Sequence, residues 1–378
     1  MHAKQALLAG AGVGLLVVAA VACSANDSAV TSLGSAPQDA GAATNGGENR
    51  PSTSTGPANA IASGIVLVHA ANFPSFRLCF ENFLDQKPQP DSDIMPESNL
   101  VGVETGSFVR LPPMDAPGAT YVIDERRIRG LDSTCRELLK GANAPLASTN
   151  DYDMLLEPLA APLGQKNVDV VAITGCASSG TLSHLGVDES SCAKDYGTLT
   201  GNLHAHVVSL TATGTGLSGQ SLPVQLYQLS TAIDALAKTT DATLSVTFGD
   251  LTAEGVLGQS LAVPALFAPG VPTSVTIDPS SEAVYGTHGF RISVGPADHP
   301  TVVDQSLATV QDLSSSNELP STYYGAASNY ALLLLGAPTP PMDAGIASAR
   351  ARMHILAVPV IDPSTLDAGT DASAPDGG

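Results

Sequence analysis

Two closely spaced histidines, three acidic doublets and five cysteines are the side chains here whose types and spacing could do chemistry. His204 and His206 stand two apart, so on a strand both imidazoles point to one face. Such a pair holds zinc or copper only when further ligands join it. No carboxylate stands beside it in sequence, so the expectation is an exposed strand face and no metal. The doublets Asp91/Asp93, Asp124/Glu125 and Asp151/Asp153 offer carboxylates for glycoside hydrolysis or hard oxygens for calcium. Adjacency in sequence says nothing of separation across a cleft, and loop carboxylates in so acidic a chain are expected to be solvated. His69 lies in an apolar run and reads as a hydrogen-bonded structural histidine. No Gly-x-Ser-x-Gly elbow, Walker loop or His-Glu-x-x-His occurs. The expectation is a protein that is not an enzyme, with no cofactor.

Cys23 is set apart from the other cysteines by what precedes it. Lys4, the uncharged apolar run Ala6–Ala22 and the small residues Ala20-Val21-Ala22 have the layout of a secretory signal peptide. The apolar run is too short to span a bilayer, which needs about 20 residues. A cysteine directly after the small residues resembles a bacterial lipobox, although Ala20 stands where Leu is usual. That resemblance implies an acylated Cys23 as the mature N-terminus, with the lipid bilayer as its first partner. Stable anchoring takes more than one acyl chain, which lipoprotein diacylation supplies. Ser24, a residue other than Asp, resembles the default signal for the outer membrane. The formal charge of −20 argues against nucleic acid as a partner, because phosphate binding needs clustered Lys and Arg.

Setting Cys23 aside leaves Cys79, Cys135, Cys176 and Cys192, an even number in an exported chain, so disulfides are expected. Four cysteines allow three pairings. The sequence-neighbour pairing, Cys79 with Cys135 and Cys176 with Cys192, is favoured because it avoids crossing the strand runs between them.

The elements that must position these residues read as β. Ile65–His69, Phe76–Phe80, Tyr121–Ile123, Val168–Thr174, Val224–Leu229 and Ala331–Leu335 are short apolar or β-branched runs bounded by turn residues. Helical turns are expected only over Arg136–Lys140 with Asp151–Leu159, and over Ala232–Lys238. Aromatics are 4% of the chain and Trp is absent, so aliphatic side chains must build the cores. The order of runs repeats. Gly102-Val103 and Ser107-Phe108 are echoed by Gly255-Val256 and Ser260-Leu261. Ala116-Pro117-Gly118 before Thr120 and Val122 is echoed by Ala268-Pro269-Gly270 before Thr273 and Val275. Asn167 to Gly175 is echoed by Asn329 to Gly336. The fold class expected is all-β, two tandem β-sandwich modules from an internal duplication. The layout is signal peptide 1–22, lipidated Cys23 and tether 23–62, module one 63–200, module two 201–362 and an acidic tail 363–378. The run Leu203–Val208 could close the first module or open the second, and Met353–Val358 resembles it.

The Ile65–Ala70 run, the paired copies and the His354–Pro359 strand resemble an uncharacterised family of exported bacterial proteins. The resemblance covers roughly residues 64–362 and implies tandem immunoglobulin- or transthyretin-like β modules, with no activity to carry over. The function expected is a non-enzymatic, lipid-anchored envelope protein that binds an unknown protein or glycan partner or builds structure. A carbohydrate-binding module, or a glycoside hydrolase using an acidic pair, is the alternative. An exposed row at Tyr323 and Tyr324 would mark the sugar binder.

Overall fold

The computed structural model describes residues 61–91, 102–140, 143–146, 152–160, 162–181, 189, 192, 194–210, 221–239, 241–252, 258–277, 282–314, 323–324, 329–338 and 350–361. Cys23, residues 24–60 of the expected tether and the expected tail 363–378 lie outside them. The first half holds β1 (Gly64–His69), β2 (Phe76–Phe80), β3 (Phe108–Leu111), β4 (Thr120–Asp124), β5 (Asp153–Met154), β6 (Val168–Thr174) and β7 (His204–Leu210). The second holds β8 (Ser221–Gln228), β9 (Ala242–Asp250), β10 (Gln259–Leu261), β11 (Thr273–Thr276), β12 (His288–Pro296), β13 (Thr301–Ser306), β14 (Asn329–Leu335) and β15 (His354–Val360). The helices are short: α1 (Glu125–Ile128), α2 (Cys135–Leu139), α3 (Thr231–Ala237), α4 (Glu282–Thr287) and α5 (Leu307–Ser314). The protein is all-β with few helices.

Two four-stranded sheets share one topology. One runs β3-β1-β6-β7 and the other β11-β8-β14-β15. In each, the first strand of its half is antiparallel to one neighbour and parallel to the other. In each, the last strand closes the sheet antiparallel to the parallel one. Each half adds an outer sheet, β2-β4-β5 in the first and β10-β9-β12-β13 in the second.

Side-chain alternation turns these sheets into four layers. One face of β1 and β6, with Ile65, Leu67, Val171 and Ile173, packs on Phe76, Leu78 and Val122 of the outer sheet. In the second half Val224, Leu332 and Leu334 pack likewise with Phe248 and Ile292. The opposite faces meet each other. Val66, Val68, Val170 and Ala172 share one core with Ala331, Leu333, Leu356 and Val358. The two repeated sheets are therefore covered on both faces, which is why β1, β6, β14 and β15 are buried at every residue. Strands covered on both sides read as continuous apolar runs rather than alternating ones.

Of the two placements open for the run Leu203–Val208, β7 takes the one in the first sheet, where it pairs with β6. Two of the three sequence echoes also fall on strands that are not equivalent. Thr120 and Val122 lie in β4 of an outer sheet, whereas Thr273 and Val275 lie in β11 of a central one. Phe108 lies in β3 beside β1, whereas Ser260 and Leu261 lie in β10 beside β9; Gly255 and Val256 lie outside the described residues. The third echo joins true counterparts. Gly175 ends β6 at φ +93° and Gly336 ends β14 at φ +78°. A Cβ at Gly175 would stand 2.2 Å from the Asn202 carbonyl oxygen, and one at Gly336 would stand 2.0 Å from that of Arg352. Asn202 and Arg352 each precede the final strand by two residues, so the same close backbone approach demands glycine twice.

Local capping explains the helices. Thr134 and Glu137 form a capping box on α2, and Ser230 Oγ caps α3 by accepting from Ile233 N–H. Within the expected helical stretch 151–159, Asp153–Met154 form β5 instead. Helix α5, absent from the sequence reading, buries Leu307, Val310 and Gln311 on one side.

Candidate functional site

The disulfides join Cys79 to Cys135 and Cys176 to Cys192, the favoured pairing. The first ties β2 to α2; the second closes a loop that follows β6. All four lie in the first half, so the second is held by packing. No thiol nucleophile remains among these four.

His204 and His206 share one strand face, with ring centroids 6.2 Å apart, but take different partners. His204 Nε2 is 2.8 Å from Asp195 Oδ2, so a carboxylate does stand beside the pair, brought in by the turn before β7. His206 turns instead to Phe267, with ring centroids 3.5 Å apart and planes at 11°. Burial, with the neighbouring His204, lowers its pKa. Phe267 has a left-handed φ of +58°, a strained conformation for a bulky residue, and its N–H donates to Gln228 O at 2.8 Å. The stack thus ties the second half to β7. Among the described residues, no three His, Cys, Asp or Glu side chains gather as metal ligands would.

Three members of the acidic doublets, Asp124, Glu125 and Asp153, have partners. Asp124 caps α1, accepting from Arg126 N–H at 2.9 Å, and takes the Arg126 guanidinium as well. Glu125 accepts from Arg77 Nε at 2.6 Å. Both carboxylates are buried, so each is held by an arginine rather than solvated as expected. Asp153 is buried, accepts from Ser178 N–H at 3.2 Å, and burial raises its pKa to about 6. The doublet partners Asp93 and Asp151 lie outside the described residues. Tyr323 and Tyr324 form no exposed row. Both are buried, with hydroxyls donating to Ala357 O and Leu307 O.

His69 and His354 are buried and take structural roles. His354 Nδ1 faces Arg352 O at 2.7 Å and Nε2 faces Gly106 O at 2.8 Å, so it links the halves. A neutral ring has one N–H and can donate to only one of those carbonyls. His69 Nδ1 accepts from Ala71 N–H at 3.4 Å, and Nε2 lies 3.0 Å from Pro74 O. Burial pulls its pKa from 6.5 to about 4. Gln228 is its counterpart: His69 lies opposite Ile173 and Gln228 opposite Leu334. Gln228 Oε1 accepts from Ser230 N–H at 3.1 Å, two residues on, as His69 does. His69→Gln therefore keeps the local hydrogen bond and removes the titration.

A folded-state pKa below the unfolded one gives stability that is complete above about pH 6.5 and lost as pH falls towards 4. For His69 that loss is about 3 kcal/mol. Asp153 acts in the opposite sense, its raised pKa removing stability as pH rises from 3.8 to about 6, so the comparison must be with the variant. Urea denaturation of both chains between pH 7 and pH 4 should show wild type losing about 3 kcal/mol relative to His69→Gln. Parallel profiles would contradict the assignment.

No family model matches the chain, and no curated protein matches it. A solved structure of a "putative cell adhesion protein" from Bacteroides eggerthii is 7% identical, with coverage of 81% of this chain and 99% of that one and a TM-score of 0.21. A likeness that slight establishes neither a shared fold nor a shared role.

Proposed function

We propose that this chain is a non-enzymatic, lipid-anchored protein of the bacterial cell envelope, displaying a duplicated β body that binds a partner or builds structure. The observation that carries the reading is the fate of the chemistry-bearing side chains. Asp124 and Glu125 are each ion-paired with an arginine, His206 is stacked on Phe267 and the four cysteines are bonded. Lys4, the run to Ala22 and Cys23 supply the address, and paired cysteines suit an oxidising compartment. The duplication is supported by matching strand order, by the paired glycines Gly175 and Gly336, and by His204 and His354 opening corresponding strands.

Asp153 favours a second reading, a hydrolase, because a carboxyl held protonated to about pH 6 suits a general acid. Mass spectrometry of the mature N-terminus tests the main reading. The expected species begins with diacylglyceryl-modified Cys23; an unmodified thiol, or cleavage elsewhere, overturns the anchor. Turnover of a glycoside or ester that Asp153→Asn abolishes would overturn the non-enzymatic assignment.

A further inference from the structure

An edge strand presents a row of backbone N–H and C=O groups that can pair with another chain, and the two repeated sheets treat theirs differently. Along an antiparallel pair, residues alternate between those bonded to the neighbour and those turned away. Ala70 N–H donates to Ile173 O and Asn72 N–H to Gly175 O, so odd-numbered residues of β6 face β1 and even-numbered ones face β7. With Val170 opposite Val208 and Ala172 opposite His206, Ala205, Val207 and Ser209 turn outward. In the second half Leu229 N–H donates to Leu334 O and Leu333 lies opposite Leu356. Ile355, Ala357 and Pro359 therefore turn outward there.

The β15 edge is closed. Gln305 donates Nε2–H to Ile355 O at 2.8 Å and accepts from Ile355 N–H at 2.7 Å, as a neighbouring strand would. Ser314 Oγ accepts from Ala357 N–H at 2.9 Å and the Tyr323 hydroxyl donates to Ala357 O. Pro359 has no N–H, and its carbonyl accepts from Ile61 N–H at 3.2 Å. At β7 only the approach is taken, where Leu156 N–H donates to Leu203 O at 2.9 Å. Beyond it, the outward backbone groups of Ala205, Val207 and Ser209 have no partner among the described residues.

We propose that the β7 edge is a strand-addition site for an extended segment of another polypeptide that alternates apolar and basic side chains. Three outward N–H and three C=O groups supply the main-chain register of such an addition. Val207 is 39% exposed and Leu156 46%, which favours apolar side chains in the incoming strand. Asp195 and Glu157 flank the edge, one bonded to His204 and the other acting on His206. In a chain of charge −20 they favour basic residues and oppose a second copy, which would bring the same acidic groups together. The site deepens the binding role proposed above and names its partner class. Its failure would leave N-terminal lipidation untouched, so the two readings are tested separately.

The probes are the peptide Lys-Val-Lys-Val-Lys-Val-Lys, its acidic counterpart with Glu for Lys, and a version N-methylated on alternate residues, each added to the full chain. The basic peptide should slow amide exchange at Ala205, Val207 and Ser209 about tenfold. The acidic and N-methylated peptides should not. Val207→Pro removes one outward donor and leaves the β6 ladder whole, as Pro359 shows at the matching edge. It should weaken binding about tenfold with melting unchanged. Protection elsewhere, equal binding by the N-methylated peptide, or dimerisation through β7 in sedimentation would overturn the proposal. The peptide controls keep the test decisive if the proline variant fails to fold.

Discussion

Replacing Leu333 with alanine should lower the stability of the whole body by about 3 kcal/mol, in one transition rather than in one half alone. Leu333 is fully buried in the layer between the two repeated sheets, sharing its core with Val66, Val68, Val170 and Val208 of the other half. Truncation removes three carbons from a core with no solvent access, and the facing β-branched side chains cannot swing in to fill the space. Because the lost contacts belong to both halves, both should melt earlier. At about 2–3 °C per kcal/mol the melting temperature falls by roughly 6–9 °C. Calorimetry reads the outcome, and two separated transitions would show the halves to be independent.

The second large effect concerns the Cys79–Cys135 bridge. Its partners are 56 residues apart in sequence, against 16 for Cys176–Cys192. Cross-linking restricts the unfolded chain more when the loop is longer, so the chain-entropy relation gives about 4 kcal/mol for the first and about 3 for the second. Cys79 and Cys135 are also buried among Ile123, Ile128 and Leu138 in the small core under α2. Cys79→Ala with Cys135→Ala should therefore be the more damaging pair, with Cys176→Ala and Cys192→Ala milder. Denaturant titration of the two double variants checks the order. Equal or reversed losses would contradict the loop-length account.

The strands themselves were legible because apolar runs of five to seven residues bounded by turn residues admit little else. Ile65–His69, Phe76–Phe80, Val168–Thr174 and Ala331–Leu335 all lie in strands. Their continuous apolar character is explained by the four-layer stack, which the expectation of two tandem sandwiches did not include, since a strand covered on one face would alternate. Of the three sequence echoes, two fall on strands that are not equivalent in the sheets. Ala-Pro-Gly and Gly-Val dipeptides serve turns of many kinds, so their recurrence joined β4 to β11. The Asn-to-Gly echo was sound because its terminal glycine answers a specific steric demand, a backbone oxygen about 2 Å from any Cβ.

The candidate chemistry was less legible, because ion pairs between distant residues leave no local mark. Arg77 reaches Glu125 across the β2–β4 pair, and nothing near Glu125 in sequence announces it. Asp195 meets His204 only after a turn that brings Gly197 against Gly201. An exposed row at Tyr323 and Tyr324 would have marked a sugar binder, yet with Tyr285 and Tyr330 they form a buried aromatic cluster in which the hydroxyls of Tyr323, Tyr324 and Tyr330 bond backbone carbonyls. In a chain so poor in aromatics these rings are needed inside.

Two sheets of one topology share a buried layer and differ at their edges: β15 is closed by Gln305, Ser314, Tyr323 and Ile61, whereas the outward groups of β7 have no partner among the described residues. Residue-resolved amide hydrogen exchange of the free full chain tests this most directly. Ile355 and Ala357, bonded to Gln305 and Ser314, should exchange about a thousandfold slower than unstructured amides. Ala205, Val207 and Ser209 should exchange within about tenfold of the unstructured rate. Equal protection of the two sets would contradict the account, because it would mean that β7 is closed as β15 is.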